Sequence, residues 1–165
     1  MPHNKSNSLI YCALLPLLAG CLLVKVTGIA NGIGKWHEIP TVKLPLDQIA
    51  RIVHERVASL GYAIPKDDPK NGTIDSDWIV TLSPRWREGY RTRIEVVIEP
   101  LDTGGADVRI RSRREFNDNG LAPMDIAKAQ WVGASLDEKH STRVDEPAMK
   151  LHQMLKLRFF GISND

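Results

Sequence analysis

The residue best suited to covalent chemistry in this chain is a cysteine that ends the segment Leu18-Ala19-Gly20-Cys21. An apolar run beginning at Leu9 leads into this segment, and Lys5 places a positive charge before the run. Positive, apolar and small residues in this order are typical of a secretory leader, and a cysteine directly after the small residues matches a bacterial lipobox. The pattern predicts signal-peptidase recognition of the three residues before Cys21 and cleavage there. Diacylglycerol would then modify the Cys21 sulfur, and a further acyl chain such as palmitate the new amino terminus.

This modification would hold the protein on a membrane without a membrane-spanning helix. Buried acyl chains stabilise the bound state by about 0.8 kcal/mol per CH₂, and more than one chain makes the anchoring durable. Leu22 follows Cys21 where an aspartate would favour retention in the inner membrane. We therefore expect an outer-membrane lipoprotein whose domain faces the periplasm.

An uncleaved anchor is the alternative interpretation of the same segment. The apolar stretch runs on for 16 residues, from Leu9 to Val24, and is interrupted by Pro16 and Gly20. A spanning helix needs about 20 residues, so the stretch is short for that purpose. Both interpretations place the rest of the chain outside the cytoplasm.

Processing at Cys21 would leave a chain without any free thiol. Cys12 is removed with residues 1–20, and Cys21 is consumed by lipid, so no disulfide, thiolate metal site or cysteine nucleophile is expected. The whole chain has 22 basic and 20 acidic residues, a balance that argues against nucleic acid as a partner. We expect a signal peptide at 1–20, a lipidated cysteine and tether at 21–35, and one domain at 36–165.

Arginines at alternating positions of two predicted strands are the second chemical feature. The strands, 90–99 and 107–116, flank a Gly-rich turn and predict an antiparallel hairpin. The arginines share the non-core side of that hairpin: Arg91, Arg93, Arg109, Arg111 and Arg113. They either form ion pairs with acids of the same side, namely Glu95, Glu99 and Asp107, or provide a docking face for an acidic envelope partner or anionic lipid head groups.

Two tryptophans and several ionisable groups complete the candidates. Trp86 and Trp131 are possible hot spots beside the arginines, although we expect them to pack in the core. The pair His54-Glu55 lacks the second histidine of a zinc-protease helix, and no metal or cofactor is expected. A calcium loop is also not supported by the acidic cluster Asp67, Asp68, Asn71, Asp75 and Asp77, because Pro69 and Trp78 occupy ligand positions.

The elements that must position these residues predict an α+β domain. Leu46, Ile49, Val53, Val57 and Leu60 form one apolar stripe of a helix with Pro45 at its first position. Strands are predicted at 39–43, 62–64 and 73–82, and a terminal helix begins at Asp145-Glu146-Pro147 and carries Leu151, Leu155 and Phe159. We expect a meandering antiparallel sheet of about four to five strands with both helices on one face.

Several short segments resemble a family of envelope lipoproteins. They are Val42-Lys43-Leu44-Pro45-Leu46-Asp47, Gly72-Thr73-Ile74, Trp78, Tyr90-Arg91-Thr92-Arg93 and Trp131. Together with the lipobox, they are similar to the helix-grip domains of the C component of the outer-membrane β-barrel assembly machinery and of related lipoproteins. The resemblance covers about residues 40–160 and implies a helix-grip fold in one domain, where that component has two.

Three functions follow as hypotheses. The first is a non-catalytic accessory or adaptor module of the envelope that binds a protein partner. The second is a carrier of a lipid or another apolar ligand between the terminal helix and the sheet. The third is an envelope hydrolase, which would need Asp67, Asp75, His54 and His140 to converge.

Overall fold

The computed structural model describes residues 32–68, 72–133 and 138–161, and of residues 66–68 and 138–142 it describes the backbone alone. Within these ranges it contains two α-helices, seven strands and one 3₁₀ turn at Ile126–Lys128. The helices are α1 (Leu46–Ser59) and α2 (Glu138–Phe160). The strands are β1 (His37–Val42), β2 (Lys66–Asp68), β3 (Thr73–Asp75), β4 (Ile79–Thr81), β5 (Tyr90–Pro100), β6 (Ala106–Asn117) and β7 (Trp131–Gly133). The predicted α+β class is confirmed.

The β5–β6 hairpin is the centre of the sheet. Its register runs without interruption from Tyr90 opposite Phe116 to Pro100 opposite Ala106. The turn between the strands closes with a hydrogen bond from the Leu101 amide to the Gly105 carbonyl, at 3.1 Å. Alternation of apolar and charged residues along both strands produces this pairing, because one side of each strand can be buried while the other stays polar.

The seven described strands occupy only five positions across the sheet, here called rows, because two of the rows each contain two short strands. Two short strands, β3 and β4, pair one after the other with the same side of β5, and β1 and β7 share the outer side of β6 in the same way. The β2 strand forms the remaining edge. The strand count therefore exceeds the expected four to five, while the number of rows agrees with it. All pairings are antiparallel, and β2 to β6 form the predicted meander.

Helix α1 follows the predicted stripe with a small rotation. Ile49, Val53 and Val57 are fully buried, and Ile52 joins them, whereas Leu46 is largely exposed. Pro45 immediately precedes the first helical residue, and its carbonyl accepts the first helical hydrogen bond, from the Ile49 amide at 3.0 Å. The rotation of the buried stripe follows from the 3.6-residue period, which moves a long stripe around the helix surface. Pro45 is thus the cap of the helix and not, as was predicted, its first helical residue.

Both helices lie on one side of the sheet and enclose the core. From the sheet the core receives alternating residues of the hairpin, including Ile94, Val96, Val108 and Ile110. From the helices it receives Ile49, Val53, Val57, Ala148, Leu151 and Leu155, all fully buried. Burial of an apolar side chain contributes about 1.5–3 kcal/mol, so this layer supplies most of the stability of the fold. The expected arrangement of two helices on one face is confirmed.

Helix α2 begins earlier than the sequence predicts, at Glu138, and Pro147 lies inside it. Proline cannot donate a hydrogen bond to the carbonyl four residues before it, here that of Arg143. The Arg114 guanidinium of β6 replaces the missing donor, because its Nη1 lies 3.2 Å from the Arg143 oxygen. The Ser112 hydroxyl likewise donates to the next carbonyl, that of Val144. Contacts from the sheet therefore allow the helix to continue through a residue that normally starts one.

Two predicted strands also differ from the structure. Residues 62–64 are irregular, although Tyr62 is buried and its hydroxyl lies 3.0 Å from that of Thr92. The strand predicted at 73–82 divides into β3 and β4, because the Ser76 hydroxyl accepts a hydrogen bond from the Ile94 amide between them, at 2.9 Å. The Ser76 side chain thus accepts a hydrogen bond from a backbone amide of β5, and this interrupts the regular pairing of the strands.

The chain enters the described fold beside the last part of β6. Gly32 accepts a hydrogen bond from the Arg114 amide at 2.7 Å, and the Gly34 amide donates to the Ser112 carbonyl at 2.8 Å. Ile33 forms an isolated bridge with Arg113. The first contacts with the sheet therefore precede Trp36, where the domain was expected to begin.

Two adjacent glycines in the β5–β6 turn provide a matched test of how closely this turn approaches β1. Both have a positive φ, 85° at Gly104 and 84° at Gly105. A Cβ at position 104 would meet nothing within 4 Å, whereas one at position 105 would lie 2.2 Å from the Val42 carbonyl oxygen. We expect Gly104→Ala to lower the free energy of unfolding by about 1–2 kcal/mol through backbone strain. Gly105→Ala should cost about 1–3 kcal/mol more through steric overlap.

Urea unfolding of the full chain in detergent micelles, followed by circular dichroism, measures both values. Equal destabilisation by the two substitutions would contradict the close approach of the turn to β1.

Candidate functional site

The candidate site is the side of the sheet that faces away from the helices. We call it the arginine–tryptophan face and define it by the five predicted arginines together with three tryptophans: Arg91, Arg93, Arg109, Arg111, Arg113, Trp36, Trp78 and Trp131. The β5–β6 register places Arg93 opposite Arg113 and Glu95 opposite Arg111. The five arginine side chains are only about a quarter to a third exposed. The fold thus assembles all five predicted residues on one half-buried surface.

Glu95 is the centre of this face. Its Oε1 accepts a hydrogen bond from Arg93 Nη2, and its Oε2 accepts one from Arg111 Nε, each at 2.6 Å. Arg113 Nη1 lies 3.6 Å from Oε1, close enough for charge attraction but too far for a normal hydrogen bond. The Glu95 side chain is 8% exposed. Three guanidinium groups therefore share one nearly buried carboxylate.

The pKa of Glu95 depends on both its burial and its arginine neighbours. Burial disfavours the charged carboxylate and acts to raise its pKa, but the hydrogen bonds and positive charges of Arg111 and Arg93 outweigh burial. The pKa of Glu95 therefore lies below its ordinary value of 4.5. The carboxylate stays charged at neutral pH and holds the arginines in place.

The remaining arginines pair with acids toward the two ends of the hairpin. Arg91 donates through Nε to Glu115 at 2.7 Å, and Arg109 pairs with Glu99. Of the acids expected to balance the arginines, Glu95 and Glu99 do so, while Asp107 instead accepts a hydrogen bond from the Thr41 amide at 2.7 Å. Glu115 was missed by the sequence analysis, although it has the same strand alternation as the arginines.

Tryptophans stack against four of the five arginines. The guanidinium carbon of Arg91 lies 4.3 Å from the ring centroid of Trp78 and 4.9 Å from that of Trp131, and Arg93 also contacts Trp78 at 5.1 Å. Trp36 contacts Arg111 and Arg109. Such contacts stabilise by about 0.5–1 kcal/mol each when exposed and more when desolvated. Rings and ion pairs together therefore fix the arginine side chains.

Trp36 and Trp78 are not among the residues predicted from the sequence to lie at the site. Trp36 precedes β1 and Trp78 precedes β4, so both reach the arginines only through pairing with distant strands. The expectation that Trp86 and Trp131 pack in the core is wrong. Trp131 lies half-buried on β7 beside Arg91, and Trp86 is 59% exposed in the β4–β5 loop. Both have polar or cationic neighbours that a core position would lack.

Charge is unevenly distributed over the face. Its centre has three arginines around Glu95, while the other acids lie on the neighbouring strands and near the β5–β6 turn: Glu38 on β1, Asp75 on β3 opposite Glu95, and Glu99 and Asp107 near the turn. Glu38, Asp75 and Glu99 are exposed. The face thus combines a positive centre with an acidic margin.

Of the four hydrolase candidates, the two with described side chains lie on opposite sides of the sheet. His54 lies on α1, on the helical side of the sheet, whereas Asp75 lies opposite Glu95 on the other side. The side chains of Asp67, Asp68 and His140 are outside the described structure, and so is Asn71. The fold does bring His37 and His152 together, with ring centroids 5.7 Å apart. In the part of the chain that the structure describes, no three His, Cys, Asp or Glu residues form a group that could hold a metal ion.

The interface between α2 and the sheet is filled by side chains. Val144, Ala148, Leu151 and Leu155 have no exposed surface and contact the apolar side of the sheet. One groove of about 320 Å³ lies between α1 and α2, is open to solvent and is lined by Arg56, Met154, Leu157 and Arg158.

The lipobox residues and Cys21 lie outside the described residues, which begin at Gly32. Over residues 32–68, 72–133 and 138–161, neither helix combines the length and the hydropathy that crossing a membrane requires.

Fold and site together define an α+β protein with an antiparallel sheet, two helices on one face and ion-paired arginines on the other. A scan against protein-family models and a search of curated proteins find no match for this chain.

The Glu95 cluster predicts a specific acid sensitivity. Because the pKa of Glu95 is lowered in the fold, its contribution to stability is present above pH 4.5 and is lost as the pH falls through the lowered value. At pH 7 we expect Glu95→Gln to reduce the free energy of unfolding by about 1.5–3 kcal/mol, the range for hydrogen bonds to charged groups. This difference from the wild-type protein should shrink as the pH is lowered well below 4.5.

Urea unfolding at a series of pH values measures this difference. Glu88→Gln, which alters an exposed pair with Arg85, is the control and should show little effect at any pH. A Glu95→Gln effect independent of pH would refute the assignment of the carboxylate as the charged centre.

Proposed function

We propose that this protein is a lipid-anchored, periplasm-facing module of the bacterial envelope that acts as a non-catalytic adaptor. In this proposal Cys21 carries the lipid and the arginine–tryptophan face binds an acidic segment of a protein partner. The lipobox at Leu18–Cys21 and the resemblance to envelope lipoproteins support the location. The observation that carries the binding role is the cluster of three guanidinium groups on Glu95.

The composition of the face favours protein binding. Arginine and tryptophan are the residue types that most often contribute binding energy at protein interfaces. Here ion pairs and ring contacts hold them before any partner arrives, so little side-chain entropy remains to be lost on binding. Both described helices lie on the opposite side of the sheet, so neither covers this surface.

The charges of the face specify the chemistry of the partner. Glu95 compensates one of three central guanidinium charges, which leaves Arg113 without a close hydrogen bond to any carboxylate in the described structure. A carboxylate of the partner can accept a bidentate hydrogen bond there. The exposed acids Glu38, Asp75 and Glu99 at the margin disfavour a uniformly acidic partner. We therefore expect one or two acidic side chains above Arg113, surrounded by neutral or basic residues.

Replacing Cys21 tests the anchor. Because the sulfur is the predicted attachment atom, we expect Cys21→Ala to remain unprocessed or to lose its acyl chains. Mass spectrometry of the amino-terminal peptide and membrane fractionation measure both outcomes. Cys12→Ala is the matched control and should leave processing unchanged. A wild-type peptide with an unmodified Cys21 would overturn the proposed anchor.

Reversing the charge of Arg113 tests the docking face. We expect Arg113→Glu to reduce recovery of the partner by at least about tenfold, because it places a carboxylate where the partner presents its own. The measurement is quantitative co-purification in mild detergent, with circular dichroism to establish that the variant folds. Arg85→Glu changes an exposed arginine outside the face and should preserve recovery. Recovery that is equal for both variants, or a wild-type protein recovered alone, would contradict a docking role.

A further inference from the structure

Four exposed apolar side chains lie in two neighbouring loops at one end of the sheet. Leu121, Met124 and Ile126 belong to the loop between β6 and β7, and Trp86 belongs to the loop between β4 and β5. Their exposed fractions are 100%, 56%, 57% and 59%, respectively. We call these four residues the apolar tip. Exposed apolar groups concentrated in this way are typical of a contact surface.

The β6–β7 loop is built to hold these side chains outward. The buried Asn117 side chain accepts hydrogen bonds from the amides of Asn119 and Gln130, each at 3.0 Å. Asn119 in turn accepts from the Leu121 amide at 3.0 Å and donates to the Lys128 carbonyl at 2.8 Å. The side chains of Asn117 and Asn119 thus bind the backbone of the loop. The apolar side chains face solvent although the backbone is tightly organised.

The two loops are joined to each other. Trp86 Nε1 donates to the Asp118 carbonyl at 3.3 Å, and Arg87 Nε donates to the Asp118 carboxylate at 2.6 Å. The Trp86 ring also lies against Gly120, where an added Cβ would be 3.3 Å from ring atom Cδ1. Trp86 and the β6–β7 loop therefore form one surface.

The tip lies at the end of the sheet where the amino-terminal segment enters. The chain enters beside Arg114, and β6 ends three residues later at Asn117, where the tip loop begins. At about 3.3 Å per residue, this places the entry roughly 10 Å along the strand from the tip. The β5–β6 turn at Gly104 and Gly105 is at the opposite end of the hairpin.

The length of chain before Gly32 limits how far this end can be from the lipid. Ten residues lie between Cys21 and Gly32, which makes eleven Cα–Cα steps. Fully extended, they span at most about 40 Å. A lipid on Cys21 would therefore keep the tip end of the sheet near the membrane, and apolar side chains at that end have the bilayer within reach.

The charges around the tip favour apolar contact over attraction to anionic lipid. All three basic residues of the two loops form ion pairs: Arg85 with Glu88, Arg87 with Asp118, and Lys128 with Asp125. The loops are therefore close to neutral. Tryptophan with a satisfied N–H is also a residue type enriched at membrane interfaces.

We propose that the apolar tip inserts into the domain-facing leaflet of the same membrane that holds the Cys21 lipid, and that it orients the domain there. This inference rests on the proposed lipid anchor. The strands then stand at a steep angle to the membrane, and the arginine–tryptophan face is directed sideways toward other envelope proteins.

Insertion of the tip can be tested with a dye attached to a single cysteine, because the lipidated mature chain would have no free thiol of its own. Leu121→Cys and Met124→Cys place a single thiol at the tip, and Thr103→Cys places one in the exposed turn at the far end of the hairpin. The full lipidated protein is labelled with the environment-sensitive dye NBD and reconstituted into vesicles of phosphatidylethanolamine and phosphatidylglycerol. We expect a several-fold rise in emission and a blue shift at positions 121 and 124, but not at position 103.

The outcomes separate the tip from the anchor. Vesicle-bound, lipidated protein whose labels at 121 and 124 emit as in water would overturn the insertion and leave the anchor standing. An unmodified Cys21 in the mass spectrum would overturn the anchor, whatever the dye reports. Equal signals in vesicles of neutral phosphatidylcholine would support apolar insertion. A signal that requires anionic lipid, or that appears equally at position 103, would overturn it.

Discussion

The structure depends on the long antiparallel pairing of β5 with β6. Because side chains of paired strands alternate between two sides, each residue of this hairpin belongs either to the core or to the charged face. On one side, the helices pack against the apolar residues of the hairpin, including Ile94, Val96, Val108 and Ile110. The same register brings Arg93, Arg111 and Arg113 around Glu95 on the other. A shift by one residue would bury the arginines and expose the core, so packing and site are fixed together.

Core and face constrain each other through residues near the end of β6. Ser112 and Arg114 lie on the apolar side of the strand, where they donate to carbonyls of α2. Between them, Arg113 points to the opposite side and contacts Glu95. The backbone of this segment also pairs with Gly32 and Gly34. One short stretch therefore links the terminal helix, the entry of the chain and the candidate site.

Local patterns in the sequence were sufficient for the hairpin, for α1 and for the α+β class, because period and turn chemistry act over a few residues. Predictions from these patterns were wrong where a side chain distant in the sequence changed the local hydrogen bonding. Pro147 is typical of a helix start, but Arg114 satisfies the carbonyl that the proline leaves free and the helix continues. Ser76 interrupts a predicted strand because its hydroxyl bonds to Ile94.

The sequence by itself predicted a lipobox at Cys21 and placed five arginines at alternating positions on one side of a hairpin. These are properties of order and spacing along the chain. Only the tertiary structure decided that the arginines meet on Glu95, that Trp36, Trp78 and Trp131 stack against them, and that Trp86 joins an apolar loop near the entry of the chain. Each of these contacts joins residues of different elements, and strand pairing over long separations brings them together.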